Sequence, residues 1–386
     1  MTDLAALLKR HRPILRYDRQ EVYFADSAAE WTDNPRNELR TRSGRLVAAA
    51  TPADAEPRLS LAFLAAGDYP GGLRPSPDDR IGDASGDYTE QARRLHAKAA
   101  YRNQMYGRWA VGSDGRTWLQ YWFFYFYNDY NLVGDLFPAG LHEGDWEMIQ
   151  LRLDPTGDGP DLAVYAQHEH AGARRWDDVE VRADRPVVYV ARGSHASYFA
   201  AGHPWTGHWF DQADGEGPAP DLALHVTNDD PAYDWLLWPG HWGDTQPSGL
   251  PFDSTSPTSP SRHRQWEDPH WLSTSAEDFQ RLQAQRPPPP TVPPAPRRVS
   301  LSRASGTLHA TYDASAGPAP SRLVVTVNSP DDPLPPAHRT VEIDRDAGTI
   351  DTGIPAREDW RYDASVSVAD QAALASTSAL ASLPPG

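Results

Sequence analysis

The sequence predicts a mainly β protein: an aromatic-rich β-sandwich with long loops and a few short helices, followed by a smaller C-terminal sandwich. The chain of 386 residues holds 14 tryptophans and 16 tyrosines, and aromatic side chains are enriched in strands. Short segments that alternate apolar and polar residues recur and end in Gly, Pro, Asn or Asp, which is typical of strands joined by turns. A run of prolines then separates the two parts, because consecutive prolines adopt a stiff, extended form.

The N-terminal part of the first domain, residues 1–85, predicts irregular β-structure that leads into a short helix. Residues 13–26 alternate apolar and polar side chains, and Pro, Asp and Gly interrupt the segment that follows. Asp87 and Glu90 then form a capping-box pattern, which indicates a helix that begins near residue 88.

Four predicted strands build the rest of the first sandwich, and each ends in turn residues. They are the segments 116–129, 145–154, 162–170 and 185–199. The first is almost wholly apolar and aromatic, as expected of a strand that is covered on both faces. After a loop-rich stretch, Ser275 is the predicted N-cap of a helix over residues 276–285.

Residues 286–298 predict a linker, because prolines fit neither a helix nor a sheet interior. The linker divides the chain into one domain at 1–285 and a second at 299–386. Five short alternating segments in the second part predict a small antiparallel sandwich of the immunoglobulin or fibronectin kind. Their rhythm and the pair Trp360 and Tyr362 resemble a fibronectin type III domain. That resemblance implies a spacer, or a module that docks on a protein partner.

Charge and composition exclude several classes of function. The formal net charge is −17, so nucleic acid phosphates and anionic headgroups repel the chain unless a basic patch or a bridging cation intervenes. No dense run of Lys and Arg is present, and the sequence therefore predicts no binding to nucleic acid. The absence of cysteine excludes disulfides, thiolate nucleophiles and zinc–thiolate sites.

The sequence also carries an expectation about location. The first residues place a short apolar run before the basic residues, which is the reverse of a secretory signal. No segment approaches the roughly 18 consecutive apolar residues of a membrane-spanning helix. We therefore expect a cytoplasmic protein without a transmembrane segment, although export without a signal peptide stays open.

The segment 140–154 places one histidine and three acidic residues at the start of a strand. Asp145 and Glu147 are two residues apart, so on a strand they share a face. Gly144 permits a bulge or a sharp backbone approach that brings His142 beside them. Such carboxylates repel and lose hydration unless a cation lies between them. The segment therefore predicts a divalent metal site, with Ca or Mg favoured and Mn, Zn or Fe as alternatives; the other interpretation is a solvated strand end paired with arginines.

Other predicted strand ends offer further polar residues. They are Asn128 and Asp129, His168 and His170, and Ser194, His195 and Tyr198. A single histidine is more often a hydrogen-bonded structural residue than a ligand. Several acids and histidines at neighbouring strand ends, however, favour one site at the rim of the sandwich.

Five motifs in order resemble the vacuolar protein sorting-associated protein 62 family over residues 14–271. The motifs read LQYWFFYFYND, HEGDWE, YAQHEHAG, VVYVARGSHASYF and WPGHWGDT. That family is distantly similar to the necrosis- and ethylene-inducing-like proteins, whose motif reads GHRHDWE. Those proteins are β-sandwich toxins that hold a divalent cation and bind plant sphingolipid headgroups.

The resemblance implies a set of metal ligands. His142, Asp145 and Glu147 match the family motif, and the family's further aspartate falls on Asp129, with Asp135 as the alternative. Ser194 and His195 match a family segment that contains a histidine. The chain departs from the pattern because Gly144 replaces the second motif histidine and the cysteines of many toxins are absent.

Three functions remain open from the sequence. The first is a metal-dependent module, toxin- or effector-like, that recognises a glycan or a lipid headgroup, with contacts from Asn128, Trp146, His170 and Ser194. The second is a metal-dependent hydrolase or lyase acting on a phosphodiester or a glycosidic bond, with Glu143, His195 or His168 as base and Tyr198 as acid. The third is a scaffold in which the metal joins loops. No GxSxG, HExxH or Gly-rich phosphate loop favours a covalent or nucleotide mechanism.

Overall fold

The computed structural model describes residues 3–53, 56–83, 88–130, 141–206, 210–244, 256–283, 293–317, 320–329, 331, 337–369 and 379–386. The protein is mainly β, which confirms the predicted fold class, and it divides into two compact units. The first comprises Met1–Asp18, Tyr23–Tyr130 and Gly140–Pro287. The second includes Arg19–Val22 and Pro288–Gly386, so the division falls inside the proline-rich segment.

The helices of the first unit are short, apart from the last. They are α1 (Leu4–Arg10), α2 (Ala28–Thr32), α3 (Leu61–Ala66), α4 (Tyr88–His96), α5 (Arg264–Glu267) and α6 (Pro269–Gln283). None of the helices in the described ranges has the length and apolar character needed to cross a membrane.

Fourteen strands of the first unit are described. They are β1 (Ile14–Tyr17), β2 (Glu38–Arg40), β3 (Leu46–Ala49), β4 (Arg80–Gly82), β5 (Gln104–Val111), β6 (Thr117–Asn128), β7 (His142–Leu153), β8 (Pro160–Gln167), β9 (His170–Arg175), β10 (Val181–Arg182), β11 (Arg185–Val190), β12 (Ser197–Tyr198), β13 (Ala223–Val226) and β14 (His241–Trp242).

The largest sheet has the strand order β13-β5-β6-β7-β8-β9 and is antiparallel except where β13 joins β5. Smaller sheets are formed by β1, β10, β11 and β12, and by β14, β4, β2 and β3. Within the largest sheet, Asn128 at the end of β6 pairs with His142 at the start of β7. The register therefore places two of the predicted polar strand ends side by side.

The hydrophobic core lies between this sheet and the sheet of β11. Leu119 and Phe123 of β6, Ile149 and Leu151 of β7, and Val188 of β11 belong to one buried cluster. Within β6 and within β7 the named residues are two or four positions apart, so their side chains share the inward face of the strand, as in a sandwich. Nearly every residue of β6 is buried, which confirms the prediction that this strand is covered on both faces.

The outer face of the large sheet is covered by the segment that contains α5 and α6. Two buried glutamines hold it there: Gln120 Nε2 donates to the carbonyl of Gln265 at 2.6 Å, and Gln150 Nε2 donates to that of Pro269 at 2.6 Å. Buried amides that are hydrogen-bonded in this way fix one arrangement of the layers, because an unpaired amide would be costly.

The predicted start of the last helix was wrong. Helix α6 begins at Pro269, so Ser275 lies inside it and does not cap it. Asp268 Oδ1 accepts a hydrogen bond from the backbone N–H of His270 at 3.2 Å. An aspartate ahead of a proline is a strong start signal, since proline fits the first helical position and the carboxylate accepts an orphan N–H.

The second unit is a small sandwich with the three-plus-four arrangement of a fibronectin-like domain, as predicted. Its strands are β15 (Arg297–Ala304), β16 (Thr307–Asp313), β17 (Arg322–Asn328), β18 (Ala337–Glu342), β19 (Ala347–Pro355), β20 (Tyr362–Ala369) and β21 (Ala379–Leu383). One sheet has the order β15-β16-β19 and the other β18-β17-β20-β21. Leu308 and Val325, one from each sheet, belong to the same buried core.

Gly144 is the position at which β7 departs from regular strand geometry. Its φ is +64°, a left-handed value that side chains other than glycine rarely adopt. A Cβ atom at Gly144 would lie 1.8 Å from the carbonyl oxygen of Trp242 in β14. The site therefore requires glycine for two independent reasons, backbone conformation and close packing.

We expect Gly144→Ala to lower the free energy of unfolding of the first unit far more than Gly115→Ala does. Gly115 also has a positive φ, +70°, but its Cβ would meet nothing within 4 Å, so its substitution costs roughly 1–2 kcal/mol of backbone strain. At Gly144 the clash adds about 1–3 kcal/mol of overpacking. Urea denaturation followed by tryptophan fluorescence measures both, because Trp360 is the one tryptophan beyond Pro287. Equal losses in the two variants would contradict the assigned close contact.

Candidate functional site

The candidate site lies at the start of β7, where the inward face of the strand carries carboxylates; farther along the strand the same face carries aliphatic side chains. Asp145 and Glu147 share a face with Ile149, which belongs to the core. The left-handed backbone at Gly144 shifts the alternation, so His142 lies on the side of Asp145. His142 and Asp145 are both buried, each with 6% of its surface exposed.

The Nδ1 atom of His142 lies 2.7 Å from the carbonyl oxygen of Gly144. A carbonyl only accepts hydrogen bonds, so Nδ1 carries the proton and Nε2 keeps the lone pair. Burial lowers the pKa of His142, which keeps the ring neutral at pH 7. A neutral imidazole that donates its other N–H to a backbone carbonyl is the form found in metal ligands.

The loop between β11 and β12 brings His195 onto Asp145. The Nδ1 atom of His195 lies 2.9 Å from Asp145 Oδ2, and its ring stacks on Tyr125 with centroids 4.0 Å apart. His195 has a φ of +56° and Gly193 a φ of +74°. These left-handed residues interrupt the single strand predicted for residues 185–199, which is therefore wrong in this part.

Asp129 lies against the same loop. A Cβ atom on Gly193 would lie 2.4 Å from Asp129 Oδ1, so a glycine at this position makes room for the carboxylate. Non-glycine residues in left-handed conformations, such as His195, store strain and cluster at functional sites. The loop thus brings Asp129, from the end of β6, against Gly193, two residues before the histidine that pairs with Asp145 of β7.

A second histidine–aspartate pair lies nearby. The Nε2 atom of His168 is 2.9 Å from Asp211 Oδ2, and the hydroxyl of Tyr198 donates to the same oxygen at 2.6 Å. Burial disfavours charged His168, but the carboxylate of Asp211 outweighs burial and raises the pKa of His168. Asp211 Oδ1 is buried and accepts no hydrogen bond from the described residues.

Glu147 lies between the two pairs. Burial, and then the negative charge of Asp145, raise the pKa of Glu147 well above its usual value; Asp211 adds to this and His195 opposes it. No Lys or Arg in the described ranges forms an ion pair with Asp145, Glu147 or Asp211. The three carboxylates are therefore balanced by histidines, by protons or by a bound cation.

We call these residues the acid–histidine cluster: His142, Asp145, Glu147, His168, His195 and Asp211. Three carboxylates and three imidazoles, one of them in the tautomer of a metal ligand, are a donor set that suits a divalent cation. As the described side chains stand, no three His, Asp or Glu groups converge closely enough to hold an ion. Asp135, the alternative ligand predicted from the resemblance, lies outside the described residues.

The structure does not bring every predicted residue to the cluster. Glu143 faces the opposite side of β7, where its Oε2 accepts the N–H of Asp83 at 2.9 Å; burial raises the pKa of Glu143. Trp146 packs between Phe124 and Trp242 in an aromatic layer on that side. Strand alternation would place Glu143 with Asp145, and the turn of the backbone at Gly144 reverses this.

Three further predicted residues have other surroundings. The ring of His170 stacks on Phe279 with centroids 4.3 Å apart, away from the cluster. Asn128 Oδ1 accepts the N–H of Tyr130 at 3.0 Å and so closes the end of β6. Ser194, next to His195, is buried and its hydroxyl has no hydrogen-bond partner in the described part of the chain.

Sequence reasoning missed Asp211 and Tyr130. Burial, and then the charge of Asp211, raise the pKa of Tyr130, which places this phenol at the second pair. Asp211 belongs to a loop without periodicity, 66 residues after Asp145. No local pattern could have signalled its approach, because the contact is made by tertiary folding alone.

A cavity of about 410 Å³ opens next to Tyr198, and its lining includes none of the six cluster residues. Tyr198 forms part of its wall, so the hydrogen-bonded pair around Asp211 adjoins the cavity. Phe199 and Phe279 supply aromatic surface, and Gln167 and other polar side chains complete the lining. The mixture of aromatic and polar groups is typical of small-molecule sites.

Comparisons with known proteins give weak likenesses. No family model matches the chain. The protein described as "Putative vacuolar protein sorting-associated protein TDA6" of Saccharomyces cerevisiae is 25% identical over 174 residues, which cover 35% of this chain and 37% of that protein. The chain thus spans little more than a third of that relative's length. This match supports the coarser part of the predicted resemblance, a likeness to a vacuolar protein sorting-associated protein.

Two solved structures are similar at a low level. Necrosis and Ethylene inducing Protein 2, from the causal agent of cocoa's Witches Broom disease, has a TM-score of 0.28 and 17% identity, over 60% of this chain and 77% of that chain. The FN3 domain of human collagen XX has a TM-score of 0.18 and 14% identity, over 25% of this chain and 100% of that chain. At these scores neither structure bears on the residues of the site.

Proposed function

We propose that the protein binds a glycan or a lipid headgroup through a divalent cation held by the acid–histidine cluster. The observation that carries the proposal is the group Asp145, Glu147 and Asp211, three acids that no Lys or Arg of the described ranges pairs with. Removing carboxylates from water is costly, and placing them together adds repulsion. A cation offsets both costs at once.

The residues that would hold the cation are Asp145, Glu147 and Asp211, with His142 through Nε2. Asp211 Oδ1 supports this assignment, because it is a buried acceptor without a partner among the described residues. Oxygen-rich donors favour Ca or Mg, and a histidine also admits Mn or Zn. A bound cation with open positions supplies ligation of hydroxyl or phosphate oxygens.

The cavity beside Tyr198 is where such a ligand would lie. Aromatic surface from Phe199 and Phe279 suits the apolar face of a sugar ring, and the neighbouring glutamines offer hydrogen bonds to hydroxyls. The net charge of −17 repels an anionic headgroup at long range. Binding of a negatively charged ligand would therefore depend strongly on the cation.

A second candidate function is metal-dependent hydrolysis. The observation that favours it is the pair of His195 and Asp145, in which the carboxylate orients the imidazole at 2.9 Å. This is the arrangement of a general base with its orienting acid. In the second pair, Tyr198 holds a proton next to Asp211 and would act as the acid.

The first prediction concerns metal content. The purified protein should contain about one divalent ion per chain. Metal binding should weaken at least about tenfold in each of Asp145→Asn, Glu147→Gln and Asp211→Asn. Loss even of a residue that only hydrogen-bonds to a metal ligand has an effect of that size. Elemental analysis and metal titration measure this. Asp177→Asn is the matched control, because that side chain is 83% exposed and should leave metal binding unchanged. Full occupancy in all three cluster variants would refute the ligand assignment.

The second prediction is that the effect of Glu147→Gln on stability changes sign when the cation is removed. In excess EDTA this variant should be more stable than the wild type, because one of three neighbouring carboxylates is removed. With the cation at about 100-fold excess over the wild-type Kd it should be less stable, because ion binding then stabilises the wild type by about 2.7 kcal/mol and a variant with tenfold weaker binding by only about 1.4 kcal/mol. Urea midpoints of both proteins in both buffers measure the effect. A shift of the same sign in the two buffers would argue against a cation at the cluster.

The third prediction tests the hydrolase. If phosphodiester or glycosidic substrates are turned over in the presence of Mg, Ca, Mn or Zn, Tyr198→Phe should lower kcat roughly 100-fold while metal content stays the same. Tyr189→Phe is the control, since Tyr189 pairs with Tyr198 in the sheet but donates to Glu180 at 2.7 Å. Undiminished turnover in Tyr198→Phe would exclude its role as the acid.

A further inference from the structure

The cavity next to Tyr198 has a positively charged side chain in its lining. Arg174, at the end of β9, lines the cavity, and its guanidinium lies over the ring of Phe199 at 4.9 Å from the centroid. Phe199 in turn stacks on Tyr165, with centroids 3.8 Å apart and the rings nearly parallel. Since Tyr165 is fully buried in the core, the guanidinium rests on a rigid aromatic support.

Arg174 has no acidic partner among the described residues, although acidic residues outnumber basic ones in the chain. Its neighbour Arg175 is oriented by Asp177, with 3.8 Å between Nη2 and Oδ2. Arg182, farther along the chain, pairs with Glu180 at 2.7 Å. An arginine held by an aromatic ring and not by a carboxylate keeps all its N–H groups for a ligand.

A histidine also lines this cavity. His203 lines the cavity, and its Nε2 is buried without a hydrogen-bond partner in the described part of the chain. Burial, and then the nearby charge of Arg192, lower the pKa of His203. The ring is therefore neutral at pH 7 and carries a single N–H, so it adds no negative charge beside Arg174.

Ala200, Ala201 and Gly202 directly precede His203 in the chain and line the same cavity. Their small side chains take up little of the cavity. On the other side of the cavity, Phe279 stacks on His170 with an interplanar angle of 8°, which presents a flat wall. The cavity lining therefore combines a basic residue with aromatic surface, and Tyr198, which also lines it, donates to Asp211 of the cluster.

We propose that this cavity binds a phosphorylated sugar, either free or as the headgroup of a lipid, and that Arg174 is the residue that selects its phosphate. The inference rests on the proposed function for the other end of the ligand, whose hydroxyls would meet the cation of the cluster. A guanidinium matches the geometry of phosphate oxygens, and two N–H groups bind them at once. A neutral sugar lacks this interaction.

The test compares D-glucose 6-phosphate with D-glucose by calorimetric titration of the full chain in the presence of Mg. Wild type should bind the phosphorylated sugar at least roughly tenfold more tightly, and Arg174→Gln should abolish that preference. Arg175→Gln makes the same change of charge one residue away, outside the cavity lining, and should keep the preference. Melting temperatures of the three proteins confirm that folding is unchanged.

Several outcomes would overturn the inference: equal binding of both sugars by wild type, no binding of either, a preference that survives in Arg174→Gln, or an equal loss in Arg175→Gln. Repeating the titration in EDTA separates this inference from the proposed function. If EDTA does not weaken either sugar, the proposed role of the cation fails, whereas a charge preference that Arg174→Gln removes still supports the arginine.

Vesicles distinguish the two sources of the ligand. Sedimentation with phosphatidylcholine vesicles that contain phosphatidylinositol, compared with phosphatidylcholine alone, reports recognition of a lipid-linked headgroup. Binding to the mixed vesicles that Arg174→Gln abolishes supports a headgroup as the ligand. Binding of soluble D-glucose 6-phosphate without vesicle binding supports a free sugar phosphate, as expected if the negative charge of the protein keeps it from an anionic surface.

Discussion

The left-handed backbone at Gly144, packed against the carbonyl of Trp242, is the constraint on which the site depends. A regular strand would place Glu143 with Asp145 and His142 on the opposite side. The change at one residue turns Glu143 toward Asp83 and brings His142 to the side of Asp145. It also lets Trp146 complete an aromatic layer with Trp242, so the same backbone feature arranges the polar face and the packed face of the strand.

The acid–histidine cluster illustrates how a sandwich accommodates charge at one end of its core. Two imidazoles each engage one aspartate, His195 with Asp145 and His168 with Asp211, and both histidines have left-handed backbones. Strain of this kind costs of order 1–3 kcal/mol per residue, and the partial burial of Glu147 adds to the cost. The aromatic and aliphatic side chains farther along the same strands offset it, which makes the rim a locally costly part of an otherwise well-packed sandwich.

The cavity next to Tyr198 offers space for a small ligand. Its wall at Tyr198 belongs to the hydrogen-bond network of Asp211, and its other end carries Arg174 on an aromatic support. The lining carries the positive charge of Arg174, and the acidic Asp211 lies behind Tyr198, outside the lining, which gives this region a polarity. A ligand with hydroxyls at one end and an anionic group at the other complements that polarity, provided that a cation lies at the acidic end.

The sequence by itself determined the mainly β class, the doubly covered strand β6, the C-terminal sandwich and the carboxylates that share a face of β7. These features follow from the alternation of apolar and polar residues and from turn residues, which are local patterns and can therefore be recognised in the sequence. Tertiary structure alone decided that Glu143 turns away, that Asp211 joins the second histidine pair and that Arg174 faces a cavity. Each of these depends on contacts between segments far apart in the chain, or on a backbone conformation that neighbouring layers impose, and no local pattern records such contacts.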